Sequence, residues 1–243
     1  LTVVAPGAVP VRVSDQFKFT EGPAVDKRGN VYFTDQPNDK IYRWATDGTL
    51  SVFMDKTGRS NGLFFDKKGA LLACADEKNE LWSIDPKTKK VTVLLTDLDG
   101  KKLNGPNDLW VDPKGNIYFT DPLYPREYWN RKTSELDGQK VYFLAKGAKQ
   151  PVVVADDLQQ PNGIVGTPDG RHLVVADIRA NGYDLSINRY KEVVYAQQQH
   201  DTPAELIEKI EALDRERQAD LQSLKALLSQ GRLTADVVQE TAV

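Results

Sequence analysis

Apolar and polar residues alternate in short runs from the start of the chain to Asp177, and the runs fall into a repeating frame. Val31-Tyr-Phe-Thr, Leu71-Leu-Ala-Cys, Ile117-Tyr-Phe-Thr and Leu173-Val-Val-Ala are rich in branched and aromatic residues, which favour a pleated, half-buried strand. A turn precedes each one: Asp26-Lys-Arg-Gly29, Asp66-Lys-Lys-Gly69, Asp112-Pro-Lys-Gly115 and Thr167-Pro-Asp-Gly170. Asp and Pro start such turns, and Gly takes backbone angles that other residues avoid. Each turn glycine stands eight residues after a polar head, namely Glu21, Asn61, Asn107 and Asn162. The four copies recur every 40 to 55 residues, the spacing of propeller blades and other repeat arrays. One hairpin cannot bury its own apolar face. Neighbours must pack on it, and radial packing predicts a β-propeller.

The segments between copies predict the outer strands of each blade. Lys40–Trp44 and Leu50–Met54 flank Asp47-Gly48, Glu80–Ile84 and Val91–Leu95 flank Pro86-Lys-Thr-Lys, and Lys140–Leu144 and Pro151–Ala155 flank Gly147. Thr2 to Val13 alternates loosely, as a strand closing a ring does. Pro122 to Gly138 is a longer insertion carrying Tyr124, Tyr128 and Trp129 among Arg126 and Arg131. It reads either as a lid over the channel mouth or as a surface loop with buried aromatics.

Equal phase puts the four heads at equal places in their blades, so their oxygens converge on the central channel. One carboxylate and several amide oxygens suit Ca²⁺, Mg²⁺ or Mn²⁺ better than a thiol-seeking metal. The same Asn-Gly and Asn-Asp pairs also make turns before strands.

Taken in order, Glu21-Gly-Pro, Arg59-Ser-Asn-Gly62, Leu103-Asn-Gly-Pro-Asn-Asp-Leu109, Tyr118-Phe-Thr-Asp-Pro122 and Gln160-Pro-Asn-Gly-Ile164 resemble the gluconolactonase family, which includes senescence marker protein 30 and regucalcin. The resemblance spans about residues 8 to 178. It implies an all-β, six-bladed propeller, here with about four blades, that hydrolyses small-molecule sugar lactones with one divalent metal. Ca²⁺ is the first expectation, with Mg²⁺, Mn²⁺ or Zn²⁺ as alternatives. By this resemblance Glu21 and Asn162 are metal ligands, and Asn107 and Asn61 are substrate-side residues. The family's third ligand and general base is an Asp in Ser-Asp-Gly, a motif that does not occur in this chain. Gly105 stands where the animal branch carries an Arg two positions before the Asn.

After Asp177 the frame stops. Thr202-Pro-Ala-Glu205 reads as a helix start and Gly231 as a stop, with Leu and Ile at helical spacing between them and Arg217 interrupting the stripe. The prediction is an amphipathic helix over about residues 203 to 230 whose apolar face needs a partner. Asn181-Gly-Tyr-Asp-Leu-Ser-Ile-Asn-Arg-Tyr-Lys191 and this helix resemble the C-terminal tail of type I restriction-modification methylation subunits, which helps assembly with the specificity subunit. The expectation is therefore a fusion: residues 1–178 a truncated lactonase propeller, residues 179–243 a helical tail. The lactonase is expected to be impaired by the missing blades and ligand. The alternative is a noncatalytic interaction protein, or a fusion product whose tail binds a specificity subunit or a second copy.

Composition narrows this further. A net charge of −3 gives no electrostatic hold on nucleic acid. A single cysteine, Cys74, excludes an internal disulfide and lies in an apolar strand, where packing is its expected role. The only histidines, His172 and His200, stand in unrelated contexts, which argues against a His-based triad or zinc site. No apolar run reaches membrane-spanning length. The first residue is Leu1, so the start reads as processed or cut, and localisation is open between periplasmic or secreted and cytoplasmic.

Overall fold

The computed structural model describes residues 7–9, 11–179, 191–194 and 203–229. Two compact units divide the chain, residues 1–196 and 197–243.

The first unit is built from antiparallel sheets laid down in chain order. The first sheet holds β1 (Thr20–Val25), β2 (Val31–Asp35), β3 (Lys40–Trp44) and β4 (Leu50–Asp55). The second holds β5 (Ser60–Phe65), β6 (Leu71–Ala75), β7 (Glu80–Ile84) and β8 (Val91–Leu95). A short hairpin follows, β9 (Asp97–Leu98) with β10 (Lys101–Lys102). The third sheet holds β11 (Leu109–Val111), β12 (Ile117–Asp121), β13 (Lys140–Leu144) and β14 (Val152–Ala155). In the fourth, β15 (Pro161–Gly166) and β16 (His172–Asp177) are joined by β17 (Lys191–Val194), which pairs with β16 from His172↔Val194 to Val175↔Lys191. Each sheet is a meander, the arrangement that short turns between sequential strands dictate.

The expected strands stand where the sequence placed them. The β9–β10 hairpin, the short 3₁₀ turn Gln36–Asn38 and β17 carry no comparable signal and were not foreseen. One expectation is corrected. Within Thr2–Val13, the described residues form no strand, and Val9, Val11 and Val13 are exposed; the other residues of that segment lie outside the described ones.

The core lies between neighbouring sheets. Leu63, Leu71, Ala73 and Ile84 of the second sheet pack with Ala24, Tyr32 and Ile41 of the first. Leu72, Cys74 and Leu81 pack on the other side with Leu109, Phe119 and Tyr142 of the third. Tyr118 and Val141 continue to Ile164, Leu173 and Val175 of the fourth. Strand alternation makes this work, because Leu71 and Ala73 face one neighbour while Leu72 and Cys74 face the other. Cys74 is fully buried and its thiol is pushed well up by burial, so its role is packing.

The second unit contains α1 (Pro203–Ser229). Ile207, Ile210, Leu213, Leu221, Leu224, Leu227 and Leu228 are exposed along it. Arg217 pairs with Asp214 one turn before it, at 2.7 Å. The Asn181–Lys191 motif up to residue 190, the Thr202 cap and the Gly231 stop lie outside the described residues.

Candidate functional site

The four heads enter their strands at irregularities of the ladder. Pairing jumps between Glu21 and Ala24 in β1, between Ser60 and Leu63 in β5 and between Pro161 and Ile164 in β15. The third copy behaves alike: the Asn107 amide donates to the Thr120 carbonyl, while the Thr120 amide donates to the Asp108 carbonyl. Such bulges re-aim a side chain out of the pleat, and here they do so at the same place in each copy.

Backbone contacts hold the heads in a row. Thr34 Oγ1 donates to the carbonyl of Glu21 (3.2 Å) and to that of Asn61 (3.0 Å). The Gly62 amide donates to the Asn107 carbonyl at 2.7 Å. Thr120 Oγ1 donates to the Asn162 carbonyl at 2.5 Å. Adjacent inner strands thus touch main chain to main chain. A side chain at Gly22 would overlap Asn61 and come within 2.7 Å of Gly62 Cα, and one at Gly62 would come within 2.7 Å of the Asn107 carbonyl. The glycine after the head is therefore a requirement of close approach, beyond the turn preference that the sequence suggested.

In the third copy that glycine is replaced by Asp108. Its carboxylate fills the space beside Gly62 and Gly163, accepting from the Ile164 amide at 3.0 Å and from the Leu109 amide at 2.9 Å. Burial pushes the Asp108 carboxyl up to about 6, the Ile164 and Leu109 amides oppose this, and the nearby Glu21 charge adds to it. Sequence reading passed over this residue because Asn-Asp looked like part of a turn.

Asn61 and Asn107 are buried, and Glu21 and Asn162 are half-buried. Burial raises the Glu21 carboxyl above its usual range, with the Gly22 amide and the Arg126 charge opposing it. No ion pair joins Glu21 to a described residue. A desolvated carboxylate with no direct ion pair to a described residue, beside amide oxygens, is a donor set that fits a hard cation. Asn162 Nδ2 donates to the Tyr124 hydroxyl at 3.1 Å, which leaves its amide oxygen for another partner. Among the described residues no three His, Cys, Asp or Glu side chains cluster as metal ligands, so any site at the heads leans on amide oxygens.

The aspartates ending the second strand of the first, third and fourth sheets do a different job. Asp35 accepts from the amides of Lys18 and Phe19, Asp121 from Asn104 and Gly105, and Asp177 from Gln159 and Gln160. Each caps the segment that leads into its own inner strand. Asp177 is thus engaged by the Gln159 and Gln160 amides of this loop. Burial lifts Asp121 to about 7 against those two amides.

In the second sheet that position is Ala75, and Asp76 follows it. Asp76 accepts from Gln36 Nε2 at 3.2 Å, from Arg126 Nε at 3.1 Å and from the Tyr128 hydroxyl. Burial raises its carboxyl, with Arg126 opposing. The 122–138 insertion is thus fastened at the mouth, and Trp129 is buried within it. Gly105 lies against this assembly, and a side chain there would meet Asp76 Oδ1 and Trp129 at 2.7 Å, so no arginine fits.

A cavity of about 830 Å³ lies elsewhere, at the turn end of the inner strands, lined by residues such as Lys27, Lys67, Trp110 and Pro168 and by none of the heads. The candidate site is placed at the heads because aligned oxygens and a desolvated carboxylate are there; the cavity has only size and charge. At that far end Lys27 Nζ donates to the Lys67 carbonyl and Lys67 Nζ to the Pro113 carbonyl, each at 2.6 Å, linking three turns.

Comparison with known proteins shows the family and the fold. The family model described as the SMP-30/gluconolactonase/LRE-like region matches residues 19–205. A gluconolactonase of Zymomonas mobilis is 27% identical over 186 residues, covering 70% of this chain and 52% of that protein. The solved structure of a gluconolactonase from Xanthomonas campestris superposes with a TM-score of 0.63 at 30% identity, covering 68% of this chain and 56% of that one. The calcium-binding protein regucalcin of Agrobacterium tumefaciens shares the fold, with a TM-score of 0.55 at 20% identity, covering 74% of this chain and 55% of that one. The chain spans about half the length of the curated gluconolactonase it matches.

Proposed function

This chain belongs to the SMP-30/gluconolactonase/LRE-like family, and from that premise we propose that it carries the substrate-binding half of a metal-dependent sugar lactonase. The observation that carries the reading is Glu21: a desolvated carboxylate without an ion-pair partner among the described residues, in line with Asn61, Asn107 and Asn162 along adjacent inner strands. Glu21 and the amide oxygen of Asn162 would hold the cation, Ca²⁺ first. Asn107 and Asn61 would face the lactone. Four antiparallel sheets in succession fit about four blades of a propeller.

Lactone hydrolysis adds water to the ring carbonyl and breaks the acyl–oxygen bond, giving a hydroxy acid that releases one proton. A divalent ion bound at the heads would polarise that carbonyl. The chain's own residues supply the rest. Asn107 and Asn61 offer amide groups that donate to and accept from ring hydroxyls. The bulges fix their direction before substrate arrives, which avoids reorganisation during reaction. The step with no assigned residue is removal of the water proton. Asp177 is occupied by Gln159 and Gln160, Asp108 by Ile164 and Leu109.

The expected result is slow, metal-dependent hydrolysis of D-glucono-δ-lactone above the spontaneous rate, followed by pH-stat with Ca²⁺ and with EDTA. Hydrolysis indistinguishable from the spontaneous rate, together with no Ca²⁺ binding by calorimetry, overturns the reading. Fast turnover abolished in Glu21→Gln would instead keep the metal and show that a base is present.

A further inference from the structure

Asp35, Asp121 and Asp177 hold the same register position in the repeat, and each caps its own entry segment. In the second copy that position is Ala75, paired with Ser60, and Asp39 does the capping instead, accepting from the amides of Thr57 and Arg59 at 2.9 and 2.7 Å. Asp76, one residue farther on, caps no entry segment; its buried carboxylate gathers Gln36, Arg126 and Tyr128. Its tie to Arg126 spans 50 residues of sequence.

Asp76 holds one end of a strap. At its other end Tyr124 meets a head, receiving Asn162 Nδ2 at 3.1 Å. Between them, the Arg126 guanidinium sits 5.4 Å from the Tyr124 ring centre, and Arg59 lies 4.6 Å above the Tyr128 ring. Farther on, Arg131 Nη2 donates to the carbonyls of Leu103 and Asn104, fastening the strap to the third sheet's entry segment. Only Nε of Arg126 is used by Asp76. Its two Nη groups make no hydrogen bond to a described residue, its side chain is 24% exposed, and its charge reaches Glu21. A held guanidinium with an unused fork, at the mouth of a channel lined by amides, is a receptor for a carboxylate or a pair of vicinal oxygens.

We propose that Arg126 is a specificity-determining residue of this mouth that binds the carboxylate of a polyhydroxy acid, and that Asp76 is the positioning residue that aims it. The ligand class rests on the lactonase reading, because hydrolysis turns a neutral lactone into such an acid. The mouth then holds product more tightly than substrate, and product inhibition follows.

The test is binding of D-gluconate to the purified full chain, by calorimetry, with Ca²⁺ and with EDTA. Arg126→Gln weakens gluconate binding roughly tenfold, the value of one charge-assisted fork. Arg126→Lys, which keeps charge but loses the fork, falls between. Asp76→Asn weakens it similarly, shifts Trp129 emission to longer wavelength and exposes the bonds after Arg126 and Arg131 to trypsin, while melting near the parent. Asp177→Asn lowers the melting temperature and leaves gluconate affinity at the parent's value. Equal affinity in parent, Arg126→Gln and Asp76→Asn overturns the proposal, as does absence of gluconate binding in the parent. The two readings fail separately. Arg126-dependent gluconate binding without lactone turnover removes the lactonase and keeps this site; turnover with affinity indifferent to Arg126 does the reverse.

Discussion

The Asp108 carboxylate accepts the Ile164 amide at 3.0 Å, joining the inner strands of the third and fourth sheets through a side chain where the other copies use a bare glycine. The bond ties the strand that carries Asn107 to the strand that carries Asn162. Asp108→Ala is expected to strand two buried amides, those of Ile164 and Leu109, and to cost about 2–4 kcal/mol in a urea titration. A loss under about 0.5 kcal/mol would mean that water replaces the carboxylate there.

On the proposed metal reading Glu21 should govern affinity, since it is the only carboxylate among the four heads. Glu21→Gln should weaken Ca²⁺ binding by roughly tenfold or more, and Asn162→Ala by less, because an amide oxygen brings no net charge. In EDTA the order reverses for stability. Glu21→Gln removes a charge whose burial outweighs the help of the Gly22 amide and Arg126, and should melt at or above the parent temperature. Calorimetry for the metal and scanning calorimetry for the melt check both halves, and unchanged Ca²⁺ affinity in Glu21→Gln excludes it as a ligand.

Close approach of the inner strands makes the glycines unequal. Gly22 has a φ of +52° and an added Cβ would sit 2.7 Å from Gly62 Cα, so Gly22→Ala should destabilise by about 1–3 kcal/mol. Gly163 has a nearest neighbour at 3.8 Å, and Gly163→Ala should stay within about 0.5 kcal/mol of the parent. Denaturant midpoints of the two variants, measured side by side, decide it, and equal losses would show that strand spacing is not set by the glycine.

Asp121 gives the fold a slope with pH. Its carboxyl lies at about 7 when folded against an ordinary 3.8, with burial the main cause, so between those values the folded chain holds a proton that the unfolded chain has lost. Stability from this group is therefore greatest below pH 3.8 and declines as pH rises through 7. At about 1.4 kcal/mol per pH unit the change is on the order of 4 kcal/mol. The unfolding free energy of the parent minus that of Asp121→Asn should fall from pH 4 to pH 7.5. A difference that is flat or rises with pH would mean that the Asn104 and Gly105 amides hold Asp121 ionised.

Much of this architecture was legible in the chain, because its signals are local. Turns such as Asp112-Pro-Lys-Gly115 and runs such as Ile117–Thr120 announce themselves within a few residues, and the eight-residue phase aligned the heads. What stayed hidden depends on distance. Asp108 reads as half of an Asn-Asp turn until Ile164 is seen beside it. Asp76 reads like Asp35, Asp121 and Asp177 along the chain, and only the strand register shows that Ala75 holds their position and Asp76 stands one residue past it. The bulges have no residue of their own. They arise at Glu21-Gly, Asn61-Gly and Asn162-Gly, and at the first two the strand also passes close to a neighbour. β17 follows a stretch without turn chemistry, so the frame seemed to end at Asp177 although a third strand joins that sheet.

The constant interval from head to turn has a genetic consequence. Each inner strand holds a bulge at one end and a glycine turn at the other, with its apolar side chains counted off between them. Losing or gaining one codon inside that interval would carry every later residue of the strand to the opposite face, sending core to solvent and solvent to core. Between copies no such count applies, and the heads stand 40, 46 and 55 residues apart. Changes of length are thus tolerated best in the loops outside the interval, and the 122–138 segment that carries Arg126 is such a loop.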